Sequence, residues 1–394
     1  MFAKLYFPAT STLAATLLTF GGFATAYLVR PLGGLFWGLY GDRKGRRAAL
    51  AWTAILMALS TALIAVAPPY AAIGMAAPGL ILLARLLQGF AVSGEFASAT
   101  AMLVEVAPPN SRALYASTQM AAQVLTAGLA AAIVLALTLS LPPAAVESWG
   151  WRLVFGLGTL VGPVGFWMRR RMDESPVFRR LAEAHRTARA PLREIFVRYP
   201  HELLGMAGLI VISSAALYLI IIFLPLYAAR ELGIPASETQ ASTIIATSVE
   251  AVIILAAGRL ADRAGALPVL AIGSAAYALA AWPLFAALVA APSFGSLVAV
   301  QLAAAVLLGV ISAPLPYAMS QLLPAEVRTT GVGLIYNAVG AVFGGLGPLI
   351  VTALVAMTGD KAAPAWWAAA TGVVGAIAAF WLWRGARKTR ESLA

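Results

Sequence analysis

The chain has 394 residues, 61% of them hydrophobic and 11% charged, with a net charge of +11 and no cysteine. A soluble protein of this length cannot hide that much apolar surface, so most of it must face lipid or other helices. The absence of cysteine excludes disulfides and thiolate chemistry.

A bilayer span takes ~20 apolar residues. The sequence predicts eleven spans, at about 12–40, 48–67, 79–104, 113–141, 152–169, 203–229, 240–261, 267–291, 295–322, 329–357 and 363–384. The first does not read as a cleavable signal, because it is long, carries Arg30 and Pro31, and runs into a charged turn. That turn, GLYGDRKGRRAAL at Gly38–Leu50, returns as GRLADRAGALPVL at Gly258–Leu270. Gly38, Asp42, Arg43, Gly45 and Leu50 recur as Gly258, Asp262, Arg263, Gly265 and Leu270, offset by 220. A second repeat, offset by 216, matches Pro108 and Arg112 with Pro324 and Arg328. Two related halves with charged turns between apolar helices are the trace of a two-bundle transporter. The fold expected is all-α and polytopic, with bundles at 1–169 and 203–394 joined by a loop at 170–202.

The positive charge does not point to nucleic acid. Under this assignment 21 of the 27 basic residues fall on one side of the membrane, which places that side in the cytoplasm. In the loop from Arg169 to Glu202, Ser175-Pro176 reads as a helix start. Phe178, Leu181 and the flanking arginines suggest either a helix on the membrane surface or a solvated linker.

Chemistry must come from the few ionisable groups within spans, where charge is expensive without a partner. Arg30 lies eight residues before Gly38, and Glu250 eight before Gly258, so the repeat makes their positions equivalent. They read as a substrate cation and a titratable acid facing a cavity, or as struts between bundles. Arg85 and Gln88 are three apart on one helix face, so a guanidinium and an amide can bind one carboxylate there. Glu95 lies ~15 Å further along, in surroundings expected to suit reversible protonation. Tyr218, Tyr336 and Asn337 are weaker candidates for a cavity lining. Gly34-x-x-x-Gly38 and Gly340-x-x-x-Gly344 permit close helix approach. His185 and His201 lie in or beside the central loop and read as solvated. Asp42 with Arg43 and Arg46, and Asp262 with Arg263, form an expected inward gate with Arg112 and Arg328 as partners. No metal-ligand cluster, phosphate loop or nucleophile–histidine pairing points to an enzyme or a cofactor.

The repeated turn resembles the loop signature of the major facilitator superfamily. RLLQGFAVSGEF at Arg85–Phe96, WGWRLVFG at Trp149–Gly156, RRRMDESPVF at Arg169–Phe178 and YNAVGAVFGGLGP at Tyr336–Pro348 resemble its metabolite:proton symporters. That branch carries small carboxylates, shikimate-like acids or zwitterionic osmolytes. The resemblance implies twelve spans, and Met1–Pro8 is similar to the stretch after the first of them, so this chain is expected to lack that helix. It also associates the Arg85 motif with proton coupling or substrate binding. The function expected is proton-coupled symport of a carboxylate-bearing metabolite by alternating access, with Arg30 and Arg85 on the substrate and Glu95 or Glu250 carrying the proton. The alternatives are a facilitator of the same solutes and a non-transporting homologue. Partners expected are substrate, protons and lipid, with the protein a monomer of a bacterial inner membrane, its basic loops and C-terminus cytoplasmic.

Overall fold

A computed structural model describes residues 5–6, 25–184 and 191–391. Lys4, the first half of the first expected span and His185 lie outside the described residues. Those residues form α1 (Arg30–Lys44), α2 (Arg46–Val66), α3 (Ala76–Val106), α4 (Arg112–Ser140) and α5 (Trp151–Arg171). After them come α6 (Pro176–Glu183), α7 (Pro191–Arg198), α8 (Pro200–Leu217), α9 (Leu224–Glu231), α10 (Ala236–Ala264) and α11 (Ala266–Ala290). The last are α12 (Phe294–Ser312), α13 (Leu315–Leu322), α14 (Arg328–Gly340), α15 (Gly347–Thr358) and α16 (Pro364–Glu391). Strands are absent among the described residues.

Nine helical stretches among the described residues are long and apolar enough to cross a membrane. They match nine of the eleven expected spans. Of the other two, one is described only from its second half, and α5 is a continuous 21-residue helix diluted by glycines and by arginines at both ends. Side chains on the outside are as apolar as the sequence requires: Leu279 is 81% and Met357 84% exposed. Those fractions suit lipid and not water.

Three π turns occur among the described residues, one of them at Val146–Gly150 leading into α5. Tyr218–Phe223 joins α8 to α9, and Ala341–Gly345 follows α14. Such turns free backbone carbonyls that a regular helix would consume.

The chain divides into two compact units that do not follow the sequence halves. One takes α1, α2, α3 up to Met102, α5, α6 and α14; the other takes α4 up to Leu135, α8 to α13, α15 and α16. In the first, α1 packs along α14 and α2 along α5. In the second, α10 packs along α12, and α16 along both α8 and α11. Each unit therefore holds one helix supplied by the other half of the sequence.

Candidate functional site

The repeated turns place each of their shared residues for a physical reason. A Cβ on Gly38 would lie 2.6 Å from the Thr330 Cα, so only glycine lets α1 meet α14 at this distance. One turn later Asp42 reaches the start of α14. Its carboxylate accepts from the backbone N–H of Thr329 at 3.3 Å and of Thr330 at 2.8 Å, and from the Thr330 hydroxyl at 2.7 Å. In the second unit Gly258 sits against Ser117, and Asp262 accepts from the N–H groups of Ala113 at 2.8 Å and Leu114 at 3.1 Å. Both carboxylates thus cap a helix N-terminus, where unpaired N–H groups and the helix dipole favour an anion. Gly45 (φ +104°) and Gly265 (φ +91°) turn the chain into the next helix through a left-handed conformation that favours glycine. Leu50 and Leu270 are buried beneath the turns.

The first turn carries more. Arg46 is fully buried, 3.5 Å from Asp42, and donates to the carbonyls of Gly41 at 3.1 Å and Ala325 at 2.8 Å. Its guanidinium lies 5.1 Å from the centre of the Phe178 ring. Glu174 accepts from the N–H groups of Arg46 and Arg47, capping α2. Burial pushes the Asp42 carboxyl up from its ordinary value, opposed by the Arg46 charge and by hydrogen bonds from Thr330 and Thr329.

Some expectations change here. Arg112 and Arg263 are exposed, and Asp262 meets backbone N–H groups rather than the expected Arg112 side chain, because the α4 N-terminus already presents two donors. Arg43 is exposed and Arg328 partly buried. The helix expected at Ser175-Pro176 forms as α6, and the Ser175 hydroxyl accepts from the Phe178 N–H at 3.0 Å. Phe178, however, is buried under Arg46 and not spread on lipid. His201 is exposed, in keeping with its expected solvation, while its ring also meets Trp381 edge-on.

Within the spans, Arg85 and Gln88 share a face as expected and bond each other at 3.2 Å; the Gln88 amide continues to the Thr61 hydroxyl at 3.2 Å. Arg30 lies 4.8 Å from the centre of the Tyr27 ring. Glu95 does not have the desolvated surroundings expected of it. Its side chain is 42% exposed and forms an ion pair with Arg169, which the last turn of α5 brings alongside α3. Asn337 is buried, its amide donating to Ser93 O at 2.8 Å and Gly333 O at 2.7 Å, which ties α14 to α3. Tyr336 stacks on Phe96, and the Tyr218 ring lies against Gly344.

Glu250 differs from all of these. It is 0% exposed on α10, and neither carboxylate oxygen has a hydrogen-bond partner among the described residues. Sequence reasoning missed Gln301, which is fully buried on α12. It accepts from the Ser242 hydroxyl and donates to the Ile220 carbonyl, at 3.3 Å, inside a π turn. A lone amide in the apolar run Leu297–Ile311 was the signal available for it.

Apolar helices long enough to span, built from repeated halves and holding isolated buried polar groups, define a polytopic membrane transporter. The comparisons agree. A family model described as "Sugar (and other) transporter" matches residues 3–390. The citrate-proton symporter of Klebsiella pneumoniae is 36% identical over 387 residues, covering 97% of this chain and 86% of that protein. A putative proline/betaine transporter of Staphylococcus haemolyticus is 34% identical, covering 95% of this chain and 80% of the relative. Among solved structures, the proton:xylose symporter XylE bound to 6-bromo-6-deoxy-D-glucose matches with a TM-score of 0.78 at 17% identity, covering 97% of this chain and 89% of its own. FucP in its outward conformation matches with a TM-score of 0.66 at 17% identity, covering 95% of this chain and 91% of its own. At those identities the structures establish the fold alone. The chain belongs to the sugar (and other) transporter family, and its fold is that of the major facilitator structures it matches. It is a multi-pass membrane transporter, not an enzyme.

Proposed function

We propose that the protein is a proton-coupled symporter of a small carboxylate-bearing metabolite, working by alternating access between bundles at 1–169 and 203–394. The observation that carries this reading is Glu250, a carboxyl wholly buried in a membrane span with neither oxygen bonded among the described residues. Charge at such a place is costly without a partner, so a group that is charged in one state and neutral in another suits it. Glu95, held by Arg169, is the second candidate. Arg85 with Gln88 supplies a fork and an amide for a carboxylate, and Arg30 a further cation. Citrate, proline and betaine, named for the relatives, all contain a carboxylate. Asp42, Arg43, Arg46, Arg328, Asp262, Arg263 and Arg112 belong to the gating turns, whose caps break and re-form as access alternates. The basic loops and C-terminus face the cytoplasm of a bacterial inner membrane, and the protein acts as a monomer.

Coupling has an energetic reason. An anion entering against a negative-inside potential is opposed by about 2.3 kcal/mol per charge per 100 mV. One proton per negative charge removes that opposition. The test is uptake of labelled citrate and of labelled proline into liposomes containing the full chain. Accumulation driven by an imposed pH gradient, and abolished by a protonophore, is the expected result for at least one of them. Glu250→Gln is expected to keep exchange and lose accumulation. Uptake that only follows the solute gradient would make the protein a facilitator.

A further inference from the structure

Glu250 needs a route for its proton, and one face of α10 carries a row of buried hydroxyls. Thr239, Thr243 and Thr247 are all buried there, at a spacing of four residues, and Glu250 follows three residues later on the same face. Side chains on a helix lean toward its N-terminus, so the Glu250 carboxyl leans over the Thr247 turn. Each threonine hydroxyl donates one turn back along its own helix: Thr239 to Ala236 O at 3.0 Å, Thr243 to Thr239 O at 2.9 Å, Thr247 to Thr243 O at 2.8 Å. Their lone pairs stay available as acceptors. Gln240, three residues before Thr243, also holds a buried Oε1 with no partner among the described residues. The face begins beside Ser237, which is exposed at the start of α10.

The neighbours are uncharged along this length. The whole of α11 and α12 carries no charged residue, and on α4 Arg112 is the only one, at its far end. Gly128 of α4 lies against Thr247, where a Cβ would stand 2.4 Å from the hydroxyl. Tyr277 is the titratable group of α11, and α9 contributes Arg230, Glu231 and Tyr227 beyond the start of α10.

We propose that the Thr239–Thr243–Thr247 face of α10 is a hydrated proton track from the exposed start of that helix to Glu250. It rests on the reading of Glu250 as the proton carrier. Four residues of helix advance ~6 Å, about the reach of one water bonded on both sides at ~2.8 Å each. The threonines position the waters and lose no proton themselves. An excess proton enters at the Ser237 end; along the chain each water takes one proton and releases another, and the last O–H bond forms on the Glu250 carboxylate.

Infrared difference spectroscopy of the purified full chain tests this without a substrate. Lowering the pH should raise a protonated-carboxyl band that Glu250→Gln abolishes. Transfer to heavy water should shift that band quickly in the unmodified protein and at least tenfold more slowly in Thr243→Val/Thr247→Val. The matching serine variants should exchange at the original rate. If the valine pair does not fold, Gly128→Ala, which crowds the Thr247 hydroxyl, provides the slow variant. An exchange rate that none of these variants changes overturns the track and leaves Glu250 standing. No band, or a band surviving in Glu250→Gln, overturns the reading of Glu250 itself.

Discussion

The two copies of the repeated turn perform the same task with different amounts of machinery. Asp42 and Asp262 each cap a helix that starts at the second repeat of the opposite half. Around Asp42 a buried arginine joins the carboxylate to two carbonyls and to an aromatic ring, and Glu174 caps the adjoining helix. At the equivalent of Arg46 the second copy has Ala266, and Asp262 is only partly buried. The difference teaches that the helix cap is the common element of the repeat, while the charged network is an addition to one copy.

That comparison can be broken by substitution. Asp42→Ala takes the carboxylate away from the buried Arg46 guanidinium and leaves a helix uncapped, a loss of about 3–5 kcal/mol. Asp262→Ala loses a cap alone, about 0.5–2 kcal/mol. Thermal unfolding in detergent should therefore rank Asp42→Ala well below Asp262→Ala, and equal midpoints would dissolve the distinction. Next come the glycines. Alanine at Gly38 meets the backbone of Thr330, whereas alanine at Gly258 first meets the Ser117 side chain. Ser117→Gly should recover most of the stability lost in Gly258→Ala, and no side-chain change at Thr330 should recover Gly38→Ala. Glu174→Ala should cost ~1 kcal/mol, the value of one cap. Arg263→Ala and Arg112→Ala, both at exposed side chains, should fall within about 0.5 kcal/mol of the parent.

Much of this was legible in the sequence, and the limits are instructive. The repeat was readable because Gly38, Asp42 and Gly45 each answer a backbone requirement, which leaves little freedom in residue type. The partners of the two aspartates were not readable, since the donors are backbone N–H groups that any residue supplies. Nine spans followed from hydropathy, and α5 blurred because glycine lowers the mean without preventing a helix. Arg85 and Gln88 were predictable because three residues along one helix fix their relation. The ion pair of Glu95 with Arg169 was not readable, because Arg169 lies 74 residues away, in the last turn of another helix. Glu250 stood out as a single carboxylate within a span, but sequence alone could not show that neither oxygen has a partner among the described residues.

The crossed caps also set an order in time. Asp262 is made after Ala113 and Leu114, so its acceptors find their donors waiting as soon as α10 emerges. Asp42 is made 287 residues before Thr329. At about 5–20 residues per second, the ribosome takes roughly a quarter of a minute to a minute to deliver that partner. Through that interval the Asp42 carboxylate, destined for burial at the end of α1, lacks the α14 donors that cap it. A nascent chain halted before residue 325 should therefore expose the Asp42 turn to chemical labelling, while one carrying residues through 341 should protect it.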